Sequence, residues 1–378
     1  MRQPSPAVVR QVLLRRGLVR GALLRPSLVR GVQRLSAALG RAGGALQPPQ
    51  ARFLQLSGGV ASIMLMRAAV QTRLVEPLAQ GPLTADAVAG RLGLHAPTVH
   101  RVLRGLAVYG LARLDRTGRF SLTSTGRLLL DGHPHTMAGW IRYMTSPMVI
   151  EGWSRLPETL RDGLPAFNAA TGTTIWEHLA QHPDEEEGFA RTMRELTLMA
   201  APLIVAAYPW PEDGTVCDVG GGVGSMLAEV LRARPALSGV LVDQAGPLAG
   251  AAEYLAARGV ERRVTAVEGD LFEGFSASAD VYLLKDVLHD WDDDQCRAIL
   301  RTVRAAAPAG ARLLVLEWLQ EPNRAEFPVS ISDIMMLAQT EGRQRSADEF
   351  FALAAPAGFT PGRVIDTGAY GIVELVAE

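Results

Sequence analysis

The stretch Val216–Gly224 reads VCDVGGGVG and decides the fold of this chain. A short apolar run ends in a turn that contains Asp218 and four glycines, and a helix-forming run begins at Ser225. Glycines allow positive φ and a close backbone approach, and the first N–H groups of a helix lack partners within the helix. The stretch therefore predicts a strand, a glycine loop and a helix that bind a nucleotide-like ligand.

Two ligands remain compatible with this loop. A dinucleotide site requires G-x-G-x-x-G and then an acid about 20 residues further on. Gly220, Gly222 and Gly224 give G-x-G-x-G instead, and Asp243 lies 23 residues after Gly220. The loop alone does not distinguish a dinucleotide from another nucleotide-like ligand, so the rest of the chain has to decide.

Strands and helices alternate after residue 214. Strands are predicted over residues 215–219, 239–243, 263–267, 280–285 and 311–317. Helices are predicted over residues 225–234, 247–258, 293–307 and 346–356, and two further apolar runs cover residues 363–366 and 370–376. This alternation predicts an α/β fold, a Rossmann-like doubly wound parallel sheet that helices cover on both faces. Ligands of such a sheet bind at the carboxyl ends of the strands.

Acidic residues follow the strand ends where a nucleoside would lie. Asp243 suits the diol of a ribose, and Asp270 suits the amino group of an adenine. Leu271 and Phe272 follow directly and are placed to sandwich the ring. Lys285, the only lysine in the chain, ends another predicted strand. No nicotinamide is required by this set, and no flavin or phosphate-binding lysine motif appears in the sequence.

One histidine lies at the same predicted edge. His289 comes just beyond an apolar strand end, followed by Asp290 and Trp291, which favours a catalytic role. The remaining histidines lie in the helical region. His133 and His135 have the spacing of a metal pair, but no Cys or carboxylate cluster completes a site. We therefore interpret them as loop residues and predict no metal.

The first half of the chain has a different pattern. Residues 1–50 contain nine Arg and no acid, which is compatible with a packing arm, a membrane-surface helix or a targeting segment. Residues 51–205 are predicted to be helical: an apolar helix face that includes Phe53, Leu56 and Val60, a helix capped by Thr84, a hairpin over residues 111–122, and a helix from Thr123. The order resembles a winged helix, but few arginines lie on its recognition elements. A dimerisation domain is favoured over DNA binding.

Large apolar side chains are frequent between residues 136 and 205. Met144, Trp153, Phe189 and Met193 belong to this set, and the last two lie four residues apart on one helix face. A helical core is the simpler interpretation for most of them. A cavity walled by methionines and aromatic rings would suit a flat apolar substrate.

Length, charge and cysteine content limit these interpretations. A chain of 378 residues predicts two domains, which we place at residues 51–205 and 206–378 after the arm. A net charge of −1 gives no general indication of nucleic acid or membrane binding. Two cysteines, Cys217 and Cys296, do not form a disulfide framework and favour a reducing, cytoplasmic location. No apolar run reaches the roughly 18–20 residues that a membrane span needs.

Six motifs together identify a family resemblance that covers about residues 51–378. They are DVGGGVG, EGDLF, LLKDVLHDWDDDQC, LLVLEW, DIMML and SADEFFALAAPAGF. The chain resembles the class I S-adenosylmethionine-dependent O-methyltransferases that act on small molecules, the plant caffeate-type and bacterial polyketide-tailoring enzymes. The resemblance implies S-adenosyl-L-methionine as cofactor, S-adenosylhomocysteine as product, a hydroxylated aromatic or polyketide-like acceptor and a homodimer.

The resemblance also implies roles for individual residues. In the cofactor pocket it places Asp218, Gly220 and Gly222 against the methionine part, Asp243 on the ribose, Asp270, Leu271 and Phe272 at the adenine, and Lys285 in the same pocket. His289 matches the catalytic base, Glu317 the acid that orients it, and Asp333 an acid lining the acceptor side. The acceptor contacts that we expect are Met144, Trp153, Phe189, Met193, Asp290 and Met336.

One position departs from the family pattern. The G-x-E-R turn of the family reads Gly342-Arg343-Gln344-Arg345 here, so Gln344 replaces a glutamate beside the predicted base. The basicity of His289 is then expected to depend mainly on Glu317. The departure keeps a second interpretation open, a relative that binds the cofactor but catalyses hydroxylation or decarboxylation. A third, a winged-helix regulator that senses a metabolite, is the least favoured.

Overall fold

A computed structural model describes residues 31–32, 35–36, 39–40, 42–44 and 46–378. Most of the predicted arm over residues 1–50 lies outside the described residues. The chain from residue 42 onwards divides into two compact units, Ala42–Met199 and Ala200–Glu378. We describe each unit by itself.

The first unit is mainly helical. Its helices are Pro49–Ser57, Gly59–Gln71, Ala85–Leu92, Ala96–Val108, Ala138–Met144, Pro147–Ser154, Leu156–Asp162, Ala166–Thr171, Ile175–Gln181 and Pro183–Ala207, the last of which continues past residue 199. Short 3₁₀ helices cover Glu76–Gln80 and Gly126–Leu129. Thr84 caps its helix as predicted, because its Oγ1 accepts a hydrogen bond from the N–H of Ala87 at 3.3 Å.

The helix predicted from Thr123 is wrong, because only the 3₁₀ helix Gly126–Leu129 forms there. The N–H of Thr123 donates to the carbonyl of Leu111 at 3.1 Å, and its hydroxyl donates to the carbonyl of Gly110 at 2.7 Å. A Cβ on Gly126 would lie 1.8 Å from the Leu111 oxygen. The segment is therefore packed against the hairpin strand instead of starting a regular helix.

A small antiparallel sheet completes this unit. Its strands are β1 (Leu83–Thr84), β2 (Ala112–Leu114) and β3 (Arg119–Leu122), in the order β1-β3-β2. Asp115 closes the β2–β3 turn, since its Oδ1 accepts from the N–H groups of Thr117 at 2.8 Å and Arg119 at 3.0 Å. The predicted hairpin is confirmed, whereas β1 is too short to be recognised in the sequence.

The predicted apolar face of the first helices is exposed at its N-terminal end, whereas Ala69 and Val70 at its other end are buried. Phe53, Leu56 and Val60 are each about 70% exposed (71%, 69% and 68%). The stretch Pro49–Gln71 is 23 residues long, and its length and apolar composition also fit a membrane span. The expectation that no stretch reaches that length was therefore wrong, although length and composition alone are weak evidence for a span.

The second unit contains a seven-stranded sheet. After the small sheet the strands are β4 (Gly214–Val219), β5 (Leu237–Asp243), β6 (Val264–Glu268), β7 (Val281–Lys285), β8 (Arg312–Glu317), β9 (Phe359–Asp366) and β10 (Gly371–Ala377), in the order β6-β5-β4-β7-β8-β10-β9. The first five pair in parallel. The prediction of a parallel sheet is wrong for β9 and β10, which form an antiparallel hairpin beside β8.

Helices cover both faces of this sheet. They are Ser225–Ala233, Ala245–Leu248, Ala251–Ala257, Asp293–Ala306, Val329–Gln339 and Ala347–Ala354, with 3₁₀ helices at Glu261–Arg263, Leu288–Asp290 and Ala355–Ala357. The helix predicted over residues 247–258 is broken near Gly250, and Val329–Gln339 was not predicted. Alternate residues of β7 enter different cores, Leu284 on one face and Leu283 on the other. The Rossmann-like α/β prediction is confirmed.

Candidate active site

The glycine loop joins β4 to the helix Ser225–Ala233. Gly220, Gly222 and Gly224 have φ values of 70°, 58° and 81°, a region that side chains with a Cβ rarely adopt. The N–H of Gly222 donates to Oδ2 of Asp243 at 2.7 Å. A Cβ on Gly220 would lie 3.1 Å from Cγ2 of Val287. The loop therefore needs its glycines and is tied to the end of β5.

Two carboxylates flank this loop at neighbouring strand ends. Asp243 also accepts from the N–H of Gln244 at 2.8 Å. Oδ1 of Asp270 accepts from the N–H groups of Phe272 at 2.7 Å and Glu273 at 3.1 Å, and its Oδ2 accepts from Nε2 of Gln244 at 3.0 Å. Burial acts to raise the pKa of Asp270, but these hydrogen bonds outweigh it and lower the pKa. Gln244, which the sequence interpretation missed, thus connects the two predicted cofactor contacts.

Asp218 lies below the loop and is almost fully buried. Its Oδ2 accepts a hydrogen bond from the N–H of Leu227 at 3.2 Å. Burial raises the pKa of Asp218 to about 7, and that hydrogen bond only partly opposes the rise. A Cβ on Gly221 would lie 2.7 Å from Cγ of Asp218. The side chain is therefore enclosed by the loop that it supports.

Replacing Asp218 with asparagine is expected to change how stability depends on pH. The pKa of Asp218 rises from 3.8 to about 7 on folding, so the unfolded chain releases a proton that the folded chain keeps. This group therefore lowers the free energy of unfolding as pH rises through that interval, by about 2–3 kcal/mol between about pH 5 and about pH 8. Urea unfolding of both proteins should show that, over this pH interval, the free energy of unfolding of Asp218→Asn rises by that amount relative to wild type. A difference that is constant with pH would contradict the burial of this charge.

His289 and Glu317 form a close pair at the ends of β7 and β8. Nδ1 of His289 lies 2.6 Å from Oε2 of Glu317, whose side chain is fully buried. Oε1 of Glu317 accepts from the N–H groups of Val287 at 3.2 Å and His289 at 3.3 Å. Burial alone would lower the pKa of His289, but the carboxylates of Glu317 and Asp290 outweigh it and raise the pKa to about 10. Since Glu317 occupies Nδ1, Nε2 is the nitrogen that is left to exchange a proton with a substrate.

Asp290 lies on the other side of the imidazole. Its Oδ1 is 3.5 Å from Nε2 of His289, and burial raises the pKa of Asp290 to about 7. The adjacent 3₁₀ helix Leu288–Asp290 puts both side chains at the sheet edge. His289 is therefore held between the carboxyl groups of Glu317 and Asp290.

Gln344 reaches the histidine from a third direction. Its Nε2 lies 3.4 Å from Nδ1 of His289 and donates to Oγ of Ser332 at 3.0 Å. Its N–H donates to Oδ1 of Asp333 at 2.8 Å, so Asp333 fixes the Gln344 turn. Oε1 of Gln344 is buried and has no hydrogen-bond partner in the described protein. A buried amide oxygen of this kind is free to accept a hydrogen bond from a ligand.

Arg345 holds the segment that carries His289, and the sequence interpretation missed it. Its guanidinium is fully buried and donates to the carbonyls of Leu288 and Trp291, both at 2.8 Å. It also contacts Oδ1 of Asp293 at 2.8 Å. The only signal was its place beside Gln344, in a chain in which almost every basic residue is an arginine.

The remaining predicted residues are distributed over both units. Phe272 packs edge-on against Trp291 with ring centroids 4.9 Å apart, and Leu271 packs against the core. Met336 is buried in the second unit. The other predicted acceptor contacts lie in the first unit, where Met144, Trp153 and Phe189 pack on one small core and Met193 is half-buried.

Ligand atoms of Asp286, His289 and Glu317 lie within 4.8 Å of one another, a spacing that would also fit a metal ion. The ammonium group of Lys285 already contacts Asp286, and His289 carries a proton across a wide pH range. The charges of this cluster are therefore balanced by basic groups of the chain itself. The absence of a metal stays a prediction.

The carboxyl edge of the seven-stranded sheet as a whole fits the predicted cofactor. The glycine loop leaves room for close backbone approach, and the carboxylates of Asp243 and Asp270 follow neighbouring strands as a ribose and an adenine require. The pair His289–Glu317 lies along the same carboxyl edge. The donor set thus contains groups for a nucleoside and, separately, a base.

Comparison with known proteins agrees with this geometry. A family model described as the O-methyltransferase domain matches residues 153–360, and one described as the O-methyltransferase dimerisation domain matches residues 54–132. The mitomycin biosynthesis 6-O-methyltransferase of Streptomyces lavendulae is 36% identical over 82% of this chain and 88% of its own. The aclacinomycin 10-hydroxylase of Streptomyces purpurascens is 34% identical over 81% and 83%.

A solved structure adds the ligands of a similar protein. The O-methyltransferase of neocarzinostatin biosynthesis, in complex with S-adenosyl-L-homocysteine and 1,4-dihydroxy-2-naphthoic acid, is 33% identical. It matches with a TM-score of 0.71 over 86% of this chain and 98% of its own. The family match covers more than half of the chain, and these relatives span most of its length. The chain therefore belongs to the S-adenosylmethionine-dependent O-methyltransferase family.

Proposed function

We propose that this enzyme methylates a hydroxyl group of an aromatic or polyketide-like secondary metabolite, with His289 as general base and Glu317 as the residue that orients it. The observation that carries the proposal is the 2.6 Å contact between Nδ1 of His289 and Glu317 at the carboxyl edge of the sheet. The names of the relatives support the acceptor class, since they include a mitomycin enzyme and one bound to a dihydroxynaphthoic acid.

The proton balance favours this assignment. A phenol has a pKa near ~10, about 3.5 units above an ordinary histidine, so transfer to an unperturbed imidazole is uphill by roughly 5 kcal/mol. The carboxylates around His289 raise its pKa to about 10, so the neutral imidazole takes that proton at little cost, but the neutral form is the minor one below that pH. When bound, the sulfonium of the cofactor supplies a strongly electrophilic methyl group. Nε2 of His289 takes the hydroxyl proton as the oxygen becomes nucleophilic.

The residues around the glycine loop are proposed to hold the cofactor. Gly220 and Gly222 lie against its methionine part, Asp243 binds the ribose and Asp270 binds the adenine. The hydrogen bonds that already fix both carboxylates support this role, because their orientation costs little when the cofactor binds. Lys285 is proposed to contact the same ligand.

We propose a cytoplasmic homodimer, with dimerisation through the domain at residues 51–205 and catalysis in residues 206–378. The match to a dimerisation domain over residues 54–132 supports the first part. The exposed side chains of Phe53, Leu56 and Val60 support it as well, because exposed apolar patches on monomers are normally small.

One observation favours a second candidate function. A relative that is 34% identical is named a 10-hydroxylase, and Gln344 stands where the family has a glutamate. Hydroxylation on this scaffold therefore stays an alternative. The intact His289–Glu317 pair favours methyl transfer, because a base is needed to remove the acceptor proton.

Incubation with S-adenosylmethionine labelled in its methyl group tests the choice. With hydroxylated naphthoic acids as acceptors, we expect a labelled methyl ether and one S-adenosylhomocysteine per product. Mass spectrometry of the same reaction detects an added oxygen without label. That product, or consumption of acceptor without S-adenosylhomocysteine, would overturn methyl transfer to these acceptors and favour the alternative.

A further inference from the structure

A buried polar cluster lies next to the His289–Glu317 pair, and none of its side chains takes or gives the proton in the transfer described above. The hydroxyl of Tyr370 donates to Oδ2 of Asp286 at 2.9 Å. The ammonium group of Lys285 contacts the same Oδ2. Nζ of Lys285 also lies 5.0 Å from the centroid of the Tyr370 ring, within the range of a cation–π contact. The three side chains therefore form one closed set.

This set is enclosed to a degree that is uncommon for charged groups. The Lys285 and Asp286 side chains are 6% and 14% exposed, and Tyr370 is 3% exposed. Burial and the neighbouring Asp286 carboxylate raise the pKa of Tyr370 well above its usual value, so its hydroxyl stays protonated and donates. Burying a lysine and an aspartate together stabilises a fold less than apolar packing would. A role beyond stability is the better explanation for keeping them.

The backbone conformation of Asp286 also supports a functional role for this cluster. Its φ is 52°, and the one other non-glycine residue with positive φ in the described part of the chain is Arg73. The N–H of Asp286 donates to the carbonyl of Leu316 on β8 at 3.1 Å, which fixes this conformation. Strained backbone of this kind concentrates at functional sites.

The antiparallel strand β10 brings Tyr370 to this edge. Gly371, the first residue of β10, pairs with Glu317, the last residue of β8. The N–H of Tyr370 donates to Oγ1 of Thr367 at 2.9 Å, and its ring lies 5.6 Å from that of Trp318. A residue that is far from the glycine loop in sequence is thus fixed at the carboxyl ends of the parallel strands.

We propose that Tyr370 and Asp286 are positioning residues that hold the ammonium group of Lys285 in the orientation that binds the cofactor. The inference rests on the proposed contact between Lys285 and the cofactor. Asp286 anchors Nζ by charge, Tyr370 fixes the carboxylate by its hydroxyl, and the ring of Tyr370 limits the positions of the ammonium group. Loss of the Tyr370 hydroxyl leaves the Asp286 carboxylate free to turn, together with the ammonium group that it holds.

Tyr370→Phe removes only the hydroxyl and keeps the ring. Calorimetry with S-adenosylhomocysteine and the full chain is expected to show binding about 5- to 20-fold weaker, as for loss of a hydrogen bond to a charged group. In the methylation assay the KM for S-adenosylmethionine should rise by a similar factor, with kcat within about twofold. Asp286→Asn should weaken binding at least as much, and it provides the same test if Tyr370→Phe folds poorly.

Tyr282→Phe is the matched control. It also removes a buried hydroxyl from the same sheet, one whose oxygen lies 2.9 Å from the carbonyl oxygens of Ala277 and Ala306 and accepts from the N–H of Ala279 at 3.1 Å. It should lower thermal stability and leave the affinity for S-adenosylhomocysteine unchanged. If Tyr370→Phe behaves in the same way, its role is structural and the proposal is overturned.

A double-mutant cycle tests the route through Lys285. Lys285→Met should weaken binding, and adding Tyr370→Phe to it should cause little further loss. Independent effects, which multiply, would overturn the proposed route. Because S-adenosylhomocysteine binding needs no acceptor, a failure of the proposed acceptor class leaves this readout intact, and the two failures can be told apart.

Discussion

Replacing His289 with alanine is expected to lower kcat by about 10²–10⁴-fold, the usual contribution of a positioned general base. Nε2 of His289 is the atom that we propose takes the hydroxyl proton, and none of the contacts of its ring serves the glycine loop. The Kd for S-adenosylhomocysteine should therefore stay within about twofold of wild type. Steady-state kinetics and calorimetry on the same preparation measure both quantities.

Varying the acidity of the acceptor hydroxyl gives a second test of this role. An acceptor whose hydroxyl is already ionised at neutral pH needs no base, so the loss in His289→Ala should shrink as the pKa of the hydroxyl falls. His135→Ala, which removes an exposed histidine of the helical unit, should not affect turnover. An equal loss for all acceptors, or an equal loss of cofactor binding, would contradict the role of His289 as base.

The position of His289 could be predicted from the sequence because parallel strands end on one edge. The pairing with Glu317 was implied by the family resemblance, and the structure brings the two together because His289 follows β7 and Glu317 ends the neighbouring strand β8. The register Lys285↔Leu316 between these strands puts both side chains at the same height. The carboxylates Asp243 and Asp270 were placed by the same argument. Sheet periodicity therefore accounts for the core of the site.

The parts that were missed do not follow from that periodicity. Tyr370 reaches the edge only because β10 inserts antiparallel between β8 and β9, and an apolar run does not reveal its direction. Arg345 acts through carbonyl groups of a distant loop, a contact with no sequence signature. Phe53 and Leu56 show a related limit, because an apolar helix face does not indicate what covers it.

Replacing Glu317 with glutamine is expected to lower kcat by about 10²–10⁴-fold as well, although the change is nearly isosteric. Oε1 of Glu317 accepts from the N–H groups of Val287 and His289, so the glutamine must keep its carbonyl oxygen there. Its NH₂ group then faces Nδ1 of His289. That nitrogen can only accept, and the imidazole proton moves to Nε2, where the base is needed.

The tautomer itself is the decisive measurement for this variant. Nitrogen NMR of the labelled imidazole should show Nδ1 protonated in the wild-type neutral form and Nε2 protonated in Glu317→Gln. The pKa of His289 should also fall from about 10 towards its ordinary value, since the largest charge that raises it is gone. Glu374→Gln, a buried glutamate that accepts from Tyr208 at 2.6 Å, is the control and should leave the tautomer unchanged. A Glu317→Gln enzyme with wild-type kcat would show that the carboxylate neither orients nor charges the base, because both effects are removed by this one substitution.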